Sequence, residues 1–438
     1  MLSDRSSHGK PIASRYYFIK AYTHTIMFSK YLIKDWQLLS PAGRVLVING
    51  FTFNLGFYML LPYLADHLQY NLGISGWYVG VIIGLRVLSQ QGMFLVGGTL
   101  GDRLGYKRLI LLGCAVRILG FALLGVGQTV PVLLLGAFFS GFAGALFTPS
   151  SQAYLASEYP EQKSRDKVFA LQNLTSVAGM LLGPLVGLSL LYFDFALVGV
   201  ISAGLFTLLF VIQWRFLPEL ASQKSTTHTH SQFWRQWGQM LTHKTFMQFV
   251  LCSSVYHLLF HQLYIAVPHE IRAVTQDVSI ITWVFATSSI MGVLMQMPVS
   301  RFVESRLGTA RGIGLGMAIM GSSYLWLNLS LPWLPALPFI ICAVFFSLGS
   351  MLVFPLLGAY VPKFCSPKEL GSHYGLYSCV GGIYAFIGNI STGWLLSSTN
   401  IDHAWVWSGL AAFGMLSGIL LFLQVTSHTK NKHMVFSR

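Results

Sequence analysis

The chain has 438 residues, 54% hydrophobic and only 10% charged, whereas a soluble domain carries about a quarter charged residues. Its apolar residues come in solid blocks rather than in alternation, which excludes a closed membrane barrel and leaves helices as the spanning elements. The 28 lysines and arginines outweigh 14 acids for a net charge of +14, a balance that would suit a polyanionic partner unless position explains it.

A bilayer core ~30 Å thick takes about 20 mostly apolar residues per helix. Residues 1–42 are polar and basic and form an N-terminal tail. The tail opens with no short apolar stretch and small-residue cleavage site, so no cleaved signal peptide is expected. Within it, Tyr17, Phe18, Met27, Phe28 and Tyr31 alternate with Lys20, Lys30 and Lys34. That pattern fits either a helix lying on the membrane surface or a mobile basic tail. Twelve spans follow, over 43–66, 75–97, 108–128, 131–155, 168–191, 195–216, 246–268, 279–300, 311–329, 333–360, 373–397 and 403–425. Residues 43–217 thus hold a first set of six, 218–245 a polar linker, 246–425 a second six, and 426–438 a short tail. The expected class is an all-α integral membrane protein with twelve transmembrane helices in two pseudo-symmetric six-helix bundles.

Position explains the charge. With both termini placed in the cytoplasm, every lysine and arginine except Arg86, Arg117 and Arg272 falls in a cytoplasmic segment or at its membrane edge. That is the positive-inside bias. The basicity therefore reports orientation in a bilayer, and no nucleic-acid partner is expected.

The two sets of six are weakly self-similar. "PSSQAY" (Pro149–Tyr154) returns as "PLLGAY" (Pro355–Tyr360), 206 positions later, and "DRLGYKR" (Asp102–Arg108) is echoed by "SRLGTAR" (Ser305–Arg311) at 203. Two matches at corresponding places argue for a duplicated six-helix unit, the plan of secondary transporters whose halves rock about a central site.

Between spans 2 and 3 stands "GGTLGDRLGYKRLILLG" (Gly97–Gly113), in which four charges interrupt two apolar runs. A loop whose cations merely enforce topology accounts for the basic residues but not for the acid or the glycine spacing. The residues Gly98, Leu100, Asp102, Arg103, Gly105, Lys107 and Arg108 resemble the 2–3 loop signature of the major facilitator superfamily. The resemblance implies the twelve-helix fold of that family and a cytoplasmic latch, with Asp102 and Arg103 as gating residues that hold the outward-facing state.

Span 5 reads "SVAGMLLGPLVGLSLL", placing Gly179, Gly183 and Gly187 on one helical face with Pro184 beside them. Such spacing permits close packing against a neighbouring helix. The Gly-Pro pair also resembles the span-5 signature of the drug:H⁺ antiporter branch. Two departures stand against it: Leu188 replaces a usual terminal glycine, and span 4 lacks the family's arginine near Ala137. The stretches "GLRVLSQQG" (Gly84–Gly92) and "RILGF" (Arg117–Phe121) are most similar to the multidrug exporters called MdtH-like, well in spans 1–6 and only in outline beyond.

Arg86 and Arg117 lie about 11 and 9 residues into spans 2 and 3, ~13–17 Å deep at 1.5 Å per residue. A cation there needs a partner or a water cavity. Gln90 is four residues beyond Arg86 on the same face. Either arginine fits a structural role bonded to helix carbonyls or a place in a substrate cavity. No span interior holds a carboxylate, so a neutral or acidic cargo is expected. His257 and His261 share one face of span 7. They fit packing or hydrogen bonding, proton or substrate handling, or a metal, although no third ligand is evident. Asn49, Asn54, Gln172 and Asn173 add polar groups at cavity depth.

The five cysteines are scattered with no C-x-x-C, so no disulfide framework or metal cluster is expected, and His228 and His230 are a weak metal signal. The reading is a secondary active transporter, not an enzyme, with no cofactor and no metal. It is expected to export a small drug-like compound or metabolite across the inner membrane, by proton antiport with alternating access, as a monomer. The alternatives are a dedicated siderophore or metabolite exporter of the same superfamily, or a solute importer.

Overall fold

Helix starts along the chain carry local signals. Ser40 accepts a hydrogen bond from the Gly43 N–H at 2.9 Å and Pro41 opens the helix behind it, a cap followed by the residue best suited to the first helical position. Asp194 does the same for a later helix through the Ala196 N–H at 3.2 Å. Apolar runs carry each helix on from there.

The computed structural model describes residues 36–37, 39–219, 238, 240–365 and 369–436, without the side chains of 95, 99, 102, 103, 163 and 428–436. The amphipathic stretch 17–34 and the pair His228 and His230 lie outside the described residues. The helices are α1 (Pro41–Asp66), α2 (Gly76–Gly92, continued after a break at Met93 by Phe94–Leu104), α3 (Tyr106–Val126), α4 (Val130–Glu158), α5 (Gln162–Leu191) and α6 (Phe195–Phe216). Then follow α7 (Lys244–Thr275), α8 (Ser279–Phe302), α9 (Gly308–Ser322), α10 (Leu337–Tyr360), α11 (Leu370–Ser397) and α12 (His403–Phe436). Among the described residues, ten stretches are long and apolar enough to cross a bilayer. One of them, Ser279–Asn328, contains both α8 and α9, and broken α2 is not among them. The helices are thus consistent with twelve passes.

Helix ends differ from the apolar runs where charge misleads. The seventh span reads as ending at 268, yet α7 continues to Thr275 through Pro268, His269, Glu270 and Arg272. It can do so because each of those polar side chains finds a partner, described below. The second span reads as ending at 97, yet helix resumes after Met93 and runs to Leu104.

The two halves mirror each other at their turns. Gly105, between α2 and α3, has φ +93°, and Gly308, the first residue of α9, has φ +71°. Both are backbone conformations that side chains with a Cβ rarely adopt, and they fall at the same shift of 203 as the echoed motif. Pro149 lies inside α4 and Pro355 inside α10, each followed by a fully buried tyrosine, Tyr154 and Tyr360.

Within the first half α1 packs on α5 and α6, and α3 on α4; within the second, α7 packs on α11 and α9 on α10 and α12. The halves meet along α2 with α11, α5 with α8, and α1 with α7. The α2–α11 seam is backbone on backbone. A Cβ on Gly80 would stand 2.4 Å from the Asn389 carbonyl oxygen, and one on Gly76 would stand 2.2 Å from that of Gly393. No strand occurs among the described residues.

Candidate functional site

The α2–α11 seam brings Arg86 to the boundary between the halves. From α4, Gly141 lets the backbone close in: a Cβ there would sit 2.0 Å from the Arg86 carbonyl oxygen. Arg86 Nη2 donates to Gln90 Oε1 at 2.7 Å, the i, i+4 bond the spacing suggests. Its guanidinium carbon lies 4.4 Å from the centre of the Phe57 ring, while Nε has no partner. The residue is 9% exposed. The Phe57 ring in turn meets that of Tyr58 of α1 at 5.1 Å. Tyr264 Oη donates to Tyr58 Oη at 3.1 Å, joining the halves.

Beside this group lies a cavity of about 170 Å³ between α1, α5, α7, α8 and α10. Tyr58, Tyr264, Phe260, Phe285 and Phe346 supply aromatic wall, Met180 and Met351 sulfur, and Ser288, Ser289, Ser347 and Gln296 polar points. Both halves contribute, as expected for a site reached alternately from two sides.

His257 and His261 take different surroundings on one helix. The His257 ring packs against Gly381 and meets the rings of Tyr256 at 5.4 Å and Tyr377 at 5.7 Å, leaving Nε2 without a partner. His261 packs edge-on to Phe260, with ring centres 5.6 Å apart, and lies 6.1 Å from the Tyr264 ring. Among the described residues no group of three metal-ligating side chains forms.

Other candidate residues lie apart from the cavity. Arg117 is 2% exposed and sits inside the first half, its guanidinium 3.5 Å above the Phe53 ring, with Phe147 and Phe206 within 6 Å. Asn49 accepts from Gln213 Nε2 at 3.0 Å, and Gln213 in turn accepts from the Cys114 thiol, a buried network of the same half. Asn54 donates to the Gly50 carbonyl at 2.8 Å, and the Gln172 carbonyl accepts from Thr175. Gly179, Gly183 and Gly187 form the face of α5 against α1: a Cβ on Gly179 would stand 2.3 Å from the Phe51 carbonyl oxygen, and one on Gly187 2.3 Å from that of Met59. The carbonyl of Pro184 accepts from Tyr63 Oη at 2.6 Å, and the same hydroxyl meets Thr282 Oγ1 of α8 at 2.6 Å.

The motif at Gly98–Arg108 occupies the second piece of α2 and the turn at Gly105. Asp102 and Arg103 are helical, and their side chains lie outside the described residues. Arg108 Nε stands 3.9 Å from Glu219 at the start of the linker, both well exposed.

The end of the bundle away from the start of α1 carries a polar cluster. Asp66 of α1 pairs with Arg272 of α7 at 3.6 Å, and His269 Nδ1 bonds Gln69 at 2.9 Å. Glu270 meets His403 of α12 at 2.7 Å. The sequence reading left these residues, like the cavity tyrosines, outside the candidate set. Tyrosine in an apolar run reads as bulk, and nothing local pairs Asp66 with a residue some 200 positions away.

The family model described as Major Facilitator Superfamily matches residues 46–275 and 253–434. The chain belongs to the major facilitator superfamily. An uncharacterised MFS-type transporter of Mycobacterium tuberculosis (strain ATCC 25618 / H37Rv) is 36% identical over 387 residues, 86% of this chain and 91% of the relative. Multidrug resistance protein MdtH of Salmonella typhimurium is 28% identical over 373 residues, 84% of this chain and 90% of the relative. The MdtH of Cronobacter sakazakii is 28% identical over 393 residues, 89% of this chain and 95% of the relative. Among solved structures, nucleoside transporter NupG superposes with a TM-score of 0.72 at 14% identity, covering 88% of this chain and 99% of NupG. A peptide transporter POT in complex with sulfate superposes at 0.73 and 13% identity, covering 89% and 94%. At such identities these structures speak for the fold alone. As a major facilitator protein the chain is a multi-pass membrane transporter of small molecules, and its relatives are transporters rather than enzymes.

Proposed function

We propose that this transporter exports a small organic molecule across the inner membrane in exchange for protons, by alternating access between its two halves. The observation that carries the reading is the cavity between the halves, walled by α1 and α5 on one side and α7, α8 and α10 on the other. Relatives named as multidrug resistance proteins over most of the chain support export of drug-like compounds. The positive-inside distribution supports cytoplasmic termini, which makes the Asp66–Arg272 end the outer one. The motif Gly98–Arg108 would then serve as the inner latch, and the α5 glycines with Pro184 as the antiporter face. His257 and His261, whose imidazoles can take up and release a proton, are the candidates for carrying the coupling proton.

The test uses inside-out membrane vesicles acidified in their lumen. Addition of a transported compound should collapse the pH gradient in vesicles with the protein and not in those without. A panel of compounds moved without any proton flux would overturn antiport, and a panel left unmoved, in cells as well as vesicles, would overturn export.

A further inference from the structure

Three of the helices that wall the cavity meet again about one turn beyond it. Tyr58 of α1, Met180 of α5 and Phe285 of α8 line the space. Tyr63 follows Tyr58 by five residues, Pro184 follows Met180 by four, and Thr282 precedes Phe285 by three. All three therefore lie ~4–8 Å farther toward the Asp66–Arg272 end. There the Tyr63 hydroxyl meets both the Pro184 carbonyl and the Thr282 hydroxyl at 2.6 Å. Tyr63 and Thr282 are each 1% exposed, so both contacts are shut off from bulk water.

Donor and acceptor capacity fixes the direction of this chain of bonds. The Pro184 carbonyl can only accept, so it takes the one Tyr63 proton, and Thr282 must donate its own to Tyr63. Other threonines of this protein spend that proton locally. Thr52, Thr207, Thr275 and Thr392 each donate to the carbonyl four residues back on their own helix. Thr282 instead reaches across to the other half. The glycine face of α5 holds the Tyr63 ring ready for it. A Cβ on Gly187 would stand 2.9 Å from Tyr63 Cε2, so the missing side chain leaves room for the ring, and Pro184 anchors its hydroxyl.

We propose that Tyr63 is a positioning residue that roofs the cavity: set by Gly187 and Pro184, it closes the outer side by accepting from Thr282, and outward opening requires that bond to break. The role deepens the alternating-access reading above and rests on it. The bond suits a gate because each side keeps a partner after release. Tyr63 still donates to Pro184, and Thr282 can turn to the Val278 carbonyl of its own chain, the usual back-bond of a helical threonine. Asp66 and Arg272 form a second, more exposed layer outside it.

The test places a cysteine at Ser289, a cavity residue only 5% exposed, in a chain whose five native cysteines are replaced by alanine. A membrane-impermeant maleimide is applied to right-side-out and to inside-out vesicles, without cargo or proton gradient. Tyr63→Phe and Thr282→Val should each raise the outer-side labelling rate about fivefold, the weight of one net hydrogen bond, and should not raise the inner-side rate. Thr282→Ser keeps the hydroxyl and should label like the parent. Tyr63→Phe combined with Thr282→Val should label no faster than the faster single variant, because both remove the same bond. Where Ser289→Cys fails to fold, the distance between spin labels at Tyr192 and Trp333 carries the same comparison. Parental outer-side labelling in folded Tyr63→Phe, additive effects in the double variant, or Thr282→Ser as fast as Thr282→Val overturns the proposal. Absence of proton exchange in the vesicle assay would instead overturn antiport and leave this gate standing.

Discussion

Asp66 at the end of α1 and Arg272 in the last turn of α7 stand 3.6 Å apart, one from each half, with the aspartate side chain only 9% exposed. Tyr70 lies against the same cluster, 5.8 Å from the Arg272 guanidinium and within hydrogen-bond reach of His269. The pair therefore acts between two bodies rather than within one. Breaking it should change how the bodies meet and leave each body folded.

For Arg272→Gln the expectation is a looser outer end. A partly exposed pair contributes about 1 kcal/mol, a factor of about five in a two-state population. Spin labels at Tyr192 and Trp333, each 83% exposed on loops of opposite halves at this end, would read it. The long-distance fraction should rise in Arg272→Gln and in Asp66→Asn. An unchanged distance distribution in both would make the pair a surface ornament.

Glycines at two kinds of seam should behave differently. Gly80 meets the Asn389 carbonyl across the halves, whereas Gly125 meets Gly199 inside one half, where a Cβ would stand 2.5 Å from the opposing Cα. Overpacking costs about 1–3 kcal/mol at either place. Gly125→Ala should lower the melting temperature in detergent. Gly80→Ala should leave it nearly unchanged while slowing transport, since the halves can relieve the clash by moving apart. Equal melting losses would remove the distinction between the seams.

Replacing His257 and His261 together by Gln should flatten the pH dependence of export while keeping the fold, because glutamine retains hydrogen bonding without titrating near neutrality. Transport measured across pH 5.5–8.5 in vesicles would check it. A wild-type profile in the double variant shifts the coupling role to Asp66 or Glu270.

Asp102→Asn should insert and express normally yet transport far less, as expected of an acid in a gating motif. Undiminished transport at equal expression would reduce the motif to a topology signal.

The spans were legible because each apolar run is long enough to demand a membrane. Their ends were not where polar residues continue a helix. The run His269, Glu270, Arg272 looks like loop until Gln69, His403 and Asp66 arrive from other helices. Arg86 with Gln90 was readable, being one turn apart on one helix. Arg117 was not, since the rings around it come from α1, α4 and α6, and no local spacing joins Phe53, Phe147 and Phe206. The hydroxyls of Tyr58 and Tyr264 gain meaning only when α1 meets α7.

The interruption of α2 at Met93 divides labour along one helix. Gly76–Gly92 is clamped to α11 of the opposite half, while Phe94–Leu104 carries the first part of the motif and packs mainly on α4 of its own half. An unbroken rod would work as a seesaw, each end rising as the other falls. An elbow removes that obligation, so the two ends can yield together and leave a leak. Keeping the membrane tight then rests on the whole inter-half seam, and variants that soften it should betray themselves as passive proton conductors before they fail as pumps.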